Sequence, residues 1–187
     1  PARGRSRRRP VRRTVKPIVL PHRGISPRIP PSVFLAPGAV IIGDVEIGEN
    51  AGIWFHAVVR GDVSLVSIGE NTNIQDGCVL HGQNRQHDVR VGRDVTVGHQ
   101  AIIHGSVVED EVLIGMGARI LNGCVVGAGS IVAAGAVLRE GTQVPAKSLI
   151  AGVPAQVRRE VKAEELEMIR KSARQYIEYA RTHRQQS

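Results

Sequence analysis

The chain has 187 residues, 42% of them hydrophobic, enough for one domain with a sizeable core. Aromatic residues make up only 3% while Val, Ile, Gly and Ala abound, so the core must be narrow and filled by small and branched aliphatics, which suits a β-solenoid better than a globular α/β enzyme. The whole net charge of +8 resides in residues 1–17, where Arg3, Arg5, Arg7, Arg8, Arg9, Arg12, Arg13 and Lys16 meet no acidic residue; the neutral body gives no reason to expect nucleic-acid binding, and no apolar run reaches the roughly 18–20 residues that cross a membrane.

The Arg-rich tail, residues 1–17, cannot bury apolar surface and is expected to be a flexible, solvated extension suited to contact with an acidic partner. It lacks the hydrophobic segment of a secretory signal, while its acid-free composition is compatible with a mitochondrial presequence. Cys78 and Cys124 form no CxxC pair and fit a reducing compartment. The expected location is cytoplasmic, or mitochondrial in a eukaryote.

Residues 18–37 hold five of the ten prolines, which predicts an extended lead-in rather than a helix. A ruler then begins. Aliphatic residues fall six apart at Ile47, Ile53 and Val59, at Ile68, Ile74 and Leu80, at Val91, Val97 and Ile103, at Val108, Ile114 and Ile120, and at Val126, Val132 and Leu138, with one step of five from Ile103 to Val108. A period of six fits neither an amphipathic helix nor a simple alternating strand and is the mark of a hexapeptide β-helix. Four places after most of these anchors stands a small or short residue, among them Ala51, Ala57, Thr72, Cys78, Ala101, Ala118, Cys124, Ser130 and Ala136. That even spacing lets both sets point inward, and it makes the two cysteines inert core residues.

Three hexapeptides per coil make a triangular prism. The pattern resembles the left-handed parallel β-helix of the hexapeptide-repeat superfamily, and the handedness rests on that resemblance. The fold class is therefore an all-β solenoid over residues 38–156 with a C-terminal α-helix and tail over 157–187. Gly43, Gly48, Gly69, Gly92, Gly98, Gly115 and Gly127, each just after an aliphatic, are read as tight corners, and Asn50, Asn71 and Asn122 as residues that tolerate unusual backbone angles. Beyond Val157 the apolar residues Leu166, Ile169, Ala173, Ile177 and Ala180 fall on one helical face, to pack along the prism wall or on a neighbouring subunit, with acids early and bases late along the helix.

The chemistry lies between Ile68 and Gly105. If the polar segment from Gly82 to Arg90 bulges as a loop, His81 after Leu80 and His104 after Ile103 occupy equivalent outward slots one coil apart, about 4.8 Å by strand spacing. Two imidazoles there can share one ion. His99 lies two places after Val97 on another face and would complete a set of three only from a neighbouring chain, leaving a fourth position open, as in catalytic zinc sites. Asp76 falls one coil below His99, where it can orient an imidazole or a water, beside Gln75. Arg60 and Asp62 lie about one coil before His81, where the register is ambiguous, and can brace an interface or line the site. Three imidazoles suit Zn2+, and Fe2+ or Co2+ as well.

The motifs VVRGDV, NIQDGCVLH, VTVGHQAIIHG and IGMGARILNG, with APGAVIIGDVEIG before them and AGVPA and a helix after, closely resemble the γ-class carbonic anhydrase family over residues 30–183. The resemblance implies a homotrimer with metals between subunits, each held by His81 and His104 of one chain and His99 of the next, and reversible conversion of CO2 to bicarbonate. It also implies interface and site roles for Arg60 and Asp62, and roles for Gln75 and Asp76 in positioning the reacting water and bicarbonate. The chain departs from well-known active members that are similar but carry a glutamate directly after the RGD aspartate and another in the following loop. Here Val63 stands at the first place and the loop reads GQNRQHD, leaving His87 or Asp88 to export the proton if the loop folds over the site. The alternative function is a metal-binding trimeric scaffold or assembly subunit with little hydratase activity. An acyltransferase on the same solenoid is a third reading, which fold by itself cannot assign.

Overall fold

The computed structural model describes residues 15–84 and 86–185; most of the Arg-rich tail lies outside them, and so does the expectation that it is flexible. The described chain is a left-handed parallel β-helix closed by one C-terminal helix. Its three faces follow the ruler. Face one stacks Ile68, Val91, Val108, Val126 and Val144 in register. Face two stacks Leu35, Ile53, Ile74, Val97, Ile114, Val132 and Ile150. Face three stacks Ile41, Val59, Leu80, Ile103, Ile120 and Leu138.

Many strands are only two residues long, because each face must end within six residues. Stability therefore comes from stacking rather than from long ladders. The anchors from Ile53 to Ile150 on face two are at most 1% exposed, and each such side chain contributes about 1.5–3 kcal/mol by leaving water. The small slots four places on are filled as expected, with Ala51, Thr72, Cys78, Ala101, Ala118, Cys124 and Ser130 all fully buried. Burial pushes the Cys78 thiol up to about 12, which keeps it a neutral core group.

The corners differ from the expectation. Left-handed backbone falls three places after an anchor, at Asn50, His56, Asn71, Gly77, Asp94, Gln100, Glu111, Gly117, Gly123, Gly129, Gly135, Gly141 and Lys147. Of the glycines read as corners only Gly43 has positive φ. The others answer to crowding: a Cβ on Gly115 would stand 2.4 Å from the Ala134 nitrogen of the next coil. Asn71 and Asn50 have the unusual angles expected of them, whereas Asn122 does not appear among the positive-φ residues.

The lead-in is extended and joins the solenoid. Ile18–Leu20 pairs with Val40–Ile42, and Phe34–Leu35 with Gly52–Ile53. At the other end the helix expected from Val157 begins only at Ala163. Ala155–Glu160 instead turns back as a strand antiparallel to Ser148–Gly152, occupying the open edge of face two. The helix, Ala163–Gln185, runs down the outside of face two. Ile169 packs with Ile131 and Val161, and Ala180 with Phe34 and Trp54. Tyr176 meets Trp54 edge-on at 5.1 Å, and Arg170 forms a forked pair with Glu111. Among the described residues no helix is long and apolar enough to cross a membrane.

Candidate metal centre

The corner rule fails on face three after Ile41, where Val40–Ile47 runs on as one strand, and after each of the three anchors above it, Val59, Leu80 and Ile103. After Val59 the chain does not turn but continues as one strand, Val58–Ile68, from face three into face one. After Leu80 it leaves as a loop closed by a Gln83–His87 bridge. After Ile103 it turns one residue early, at Gly105 with φ of 54°, which accounts for the single step of five. Asp62 stands where the corner after Val59 would be. The residues just past the three anchors, Arg60, His81 and His104, form one vertical column by strand register.

This resolves the ambiguous register of VVRGDV: Arg60 pairs with His81, and His81 with His104. Arg60 Nη1 donates to Asp62 Oδ2. Asp62 Oδ1 lies 3.0 Å from His81 Nε2, and His81 Nδ1 lies 3.1 Å from His104 Nε2. His104 Nδ1 lies 2.6 Å from Asn122 Oδ1, and Asn122 Nδ2 donates to Glu140 Oε1 at 2.9 Å. Burial opposes ionisation of Asp62, but hydrogen bonds from Arg60 and His81 and the Arg60 charge outweigh it and hold the carboxyl below its usual range. Burial holds His81 below the ordinary imidazole value, against the pull of Asp62.

These contacts fix both tautomers. A carboxylate only accepts, so His81 carries its proton on Nε2. Glu140 takes the amide hydrogens of Asn122, so the Asn122 oxygen faces His104 and places that proton on Nδ1. Two lone-pair nitrogens are thus left facing each other at 3.1 Å. They repel unless they share a cation. Two nitrogens about 2.0–2.1 Å from a tetrahedral zinc stand about 3.3 Å apart, so the pair fits as two ligands of one divalent metal.

The remaining residues form a second group. His99 Nδ1 lies 2.7 Å from Asp76 Oδ2, and Asp76 Oδ1 accepts the Phe55 N–H at 3.1 Å. His99 therefore keeps Nε2 as its lone-pair nitrogen, on a side chain that is 41% exposed. Gln75 is buried; its oxygen accepts the His99 backbone N–H at 3.2 Å and its amide donates to Asn73 at 3.1 Å. His104 lies five residues beyond His99 across a corner, about 16 Å along the chain. Among the described residues of one chain, no set of three or more His, Cys, Asp and Glu converges tightly enough to hold a metal.

The loop after His81 does fold back. The His87 Cβ lies 2.8 Å from where a Gly105 Cβ would be, while Asp88 shares with Asp62, His22, Asp44, Ser64 and Asn84 a cleft of about 770 Å3. Asn122 and Glu140 were not singled out as site residues from sequence. The spacing did not point to them: the step of five shortens this coil to 17 residues, so register places Leu121 above His104 and Asn122 one place further on, with Glu140 one regular coil of 18 residues above Asn122.

The fold defines a hexapeptide-repeat β-helix protein, with the paired histidines His81 and His104 on its third face. The family described as bacterial transferase hexapeptide (six repeats) matches residues 26–61 and 105–140. A carbonic anhydrase of Geobacillus kaustophilus is 42% identical over 86% of this chain and 88% of its own length. Gamma carbonic anhydrase 2, mitochondrial, of Arabidopsis thaliana is 41% identical over 84% of this chain and 59% of its own, so the chain spans about three fifths of that plant relative. A hexapeptide transferase family protein of Anaplasma phagocytophilum superposes with a TM-score of 0.83 at 39% identity, covering 88% of this chain and 97% of the other. The chain belongs to the γ-class carbonic anhydrase family.

Proposed function

We propose that the protein catalyses the reversible hydration of CO2 to bicarbonate as a homotrimer, with a divalent metal, Zn2+ first and Fe2+ or Co2+ as alternatives, held by His81 and His104 of one subunit and His99 of the next. The observation that carries this reading is the facing pair of lone-pair nitrogens on His81 and His104, 3.1 Å apart, with their other nitrogens fixed by Asp62 and Asn122. The similarity to named carbonic anhydrases supports it. A bound divalent cation supplies Lewis acidity, lowering the pKa of water from about 15.7 to near 7.

The chain's own residues do the rest. Asp62, braced by Arg60, holds His81 in its ligating tautomer, and Asp76 does the same for His99. Gln75 pins the backbone of His99 from below. The lowered value of His81 keeps its ligating nitrogen unprotonated at neutral pH. Asp88, in the cleft that also borders Asp62, is the loop group placed to pass a proton to solvent, in preference to His87, which lies beside Gly105 and Gly123. Stopped-flow CO2 hydration by Zn2+-loaded protein is expected to exceed that of a His104→Ala variant by at least about 100-fold. Equal rates would exclude hydratase chemistry at this site and leave the scaffold reading, in which removal of metal only dissociates the trimer.

A further inference from the structure

The column that begins at Arg60 does not stop at the two histidines. Strand register puts Leu121 directly above His104, on a coil shortened to 17 residues, but the contacts pass to its neighbour Asn122 and from there to Glu140, one regular coil of 18 residues higher. The contacts are short and directed: 2.6 Å from His104 Nδ1 to Asn122 Oδ1, and 2.9 Å from Asn122 Nδ2 to Glu140 Oε1. Room for this has been made. A Cβ on Gly105 would stand 2.5 Å from Asn122 Oδ1, so the residue after the histidine must lack one for the amide to reach the ring. Neither Asn122 nor Glu140 follows from the regular coil, whose outward slots here need only be polar.

The geometry points to Asn122 and Glu140 as positioning residues for His104: the amide fixes the ring's proton on Nδ1 and its orientation, and the carboxylate keeps the amide from turning over. The arrangement mirrors Arg60 and Asp62 beneath His81, with a neutral acceptor in place of a charged one. His81 is thus backed by a carboxylate and His104 by an amide, so the two ligands differ in basicity although they occupy equivalent slots. Asn122 also ties the site to Glu140 on the upper, regular coils, two layers above His104. The inference rests on the metal-binding reading for its purpose but not for its geometry.

The test separates the two. In the metal-free full chain with 15N-labelled histidine, the long-range 1H–15N spectrum of His104 is expected to show a protonated Nδ1 and a bare Nε2, and Asn122→Leu to move the proton to Nε2. Zn2+ affinity, measured by competition with a chromophoric chelator, should fall about 10- to 100-fold in Asn122→Leu and recover in Asn122→Asp, which restores the acceptor. Glu140→Leu, at an exposed position that leaves the core untouched, should give a smaller loss and a mixed tautomer. A wild-type His104 protonated on Nε2, or an Asn122→Leu variant with unchanged tautomer and affinity, overturns the assignment. Failure of the wild type to bind Zn2+ would overturn the proposed function while the spectrum still decides the role of Asn122.

Discussion

The coils above Val108 and the corner beneath Gly105 are built from the same ruler and put to opposite uses. Above, every anchor from Val108 to Val144 is followed three places later by left-handed backbone, and on face two the outward residues Leu113, Ile131 and Leu149 cluster with Ile169 of the C-terminal helix. Below, three anchors in succession on face three have no such corner, and Arg60, Asp62, His81 and His104 occupy the space that the missing turns leave. The small inward slots break at the same places: Val63 and Val107, four residues after Val59 and Ile103, are not buried, and Ser106 takes the inward position instead. Regular coils store stability and broken corners expose chemistry. A solenoid tolerates such breaks because each coil rests only on its neighbours.

This contrast sets the expected effects of substitution. The largest loss of stability should come from the regular stack, where Ile114→Ala removes a fully buried anchor on face two; about 2–5 kcal/mol is expected from denaturant unfolding. Next, Gly115→Ala and Gly117→Ala lie two residues apart and separate the two roles of glycine. Gly115→Ala would press a methyl against the next coil's backbone and cost about 3 kcal/mol. Gly117 has open space around it but a φ of 68°, so Gly117→Ala should cost about 1–2 kcal/mol from backbone strain. Equal losses in the two variants would break the distinction between crowding and corner.

At the broken corner the pattern reverses. Asp62→Asn should leave the melting temperature nearly unchanged while Zn2+ affinity, read by chelator competition, falls about 10- to 100-fold, because the neutral amide no longer holds His81 in one tautomer. A large stability loss instead would make Asp62 a structural residue. The smallest effect is expected at the helix start. Glu165 accepts the Lys162 backbone N–H at 2.9 Å and a fork from Arg159, whose hydrogen bonds lower its pKa to about 2. A depressed carboxylate value stabilises the native state above the unfolded value near 4.5 and is lost as pH falls towards 2. The difference in melting temperature between wild type and Glu165→Gln should therefore be small at pH 7 and vanish near pH 2.

Much of this was legible before any coordinates. Burial in a three-faced prism forces the six-residue step, so Ile74, Val97 and Ile114 announced their own stacking, and the distance between His81 and His104, read through the intervening loop, placed them one coil apart. Composition excluded a large aromatic core and confined the charge to the tail. The helical stripe ending at Ala180 could be read from its spacing, though not that Ala155–Glu160 would first turn back along face two, since a strand's partner lies outside its own sequence.

What the sequence by itself determined was the periodic part: fold class, faces, the stacked histidine pair, and the separation of His99 from it. These follow from local repetition, in which each residue's place depends on its offset from an anchor. Only the tertiary structure decided where corners fall, why a Cβ is forbidden at Gly115, and how Asn122 and Glu140 join His104. Those depend on which atoms of one coil meet the next, and contact across coils joins residues 18 apart in sequence that no local pattern pairs.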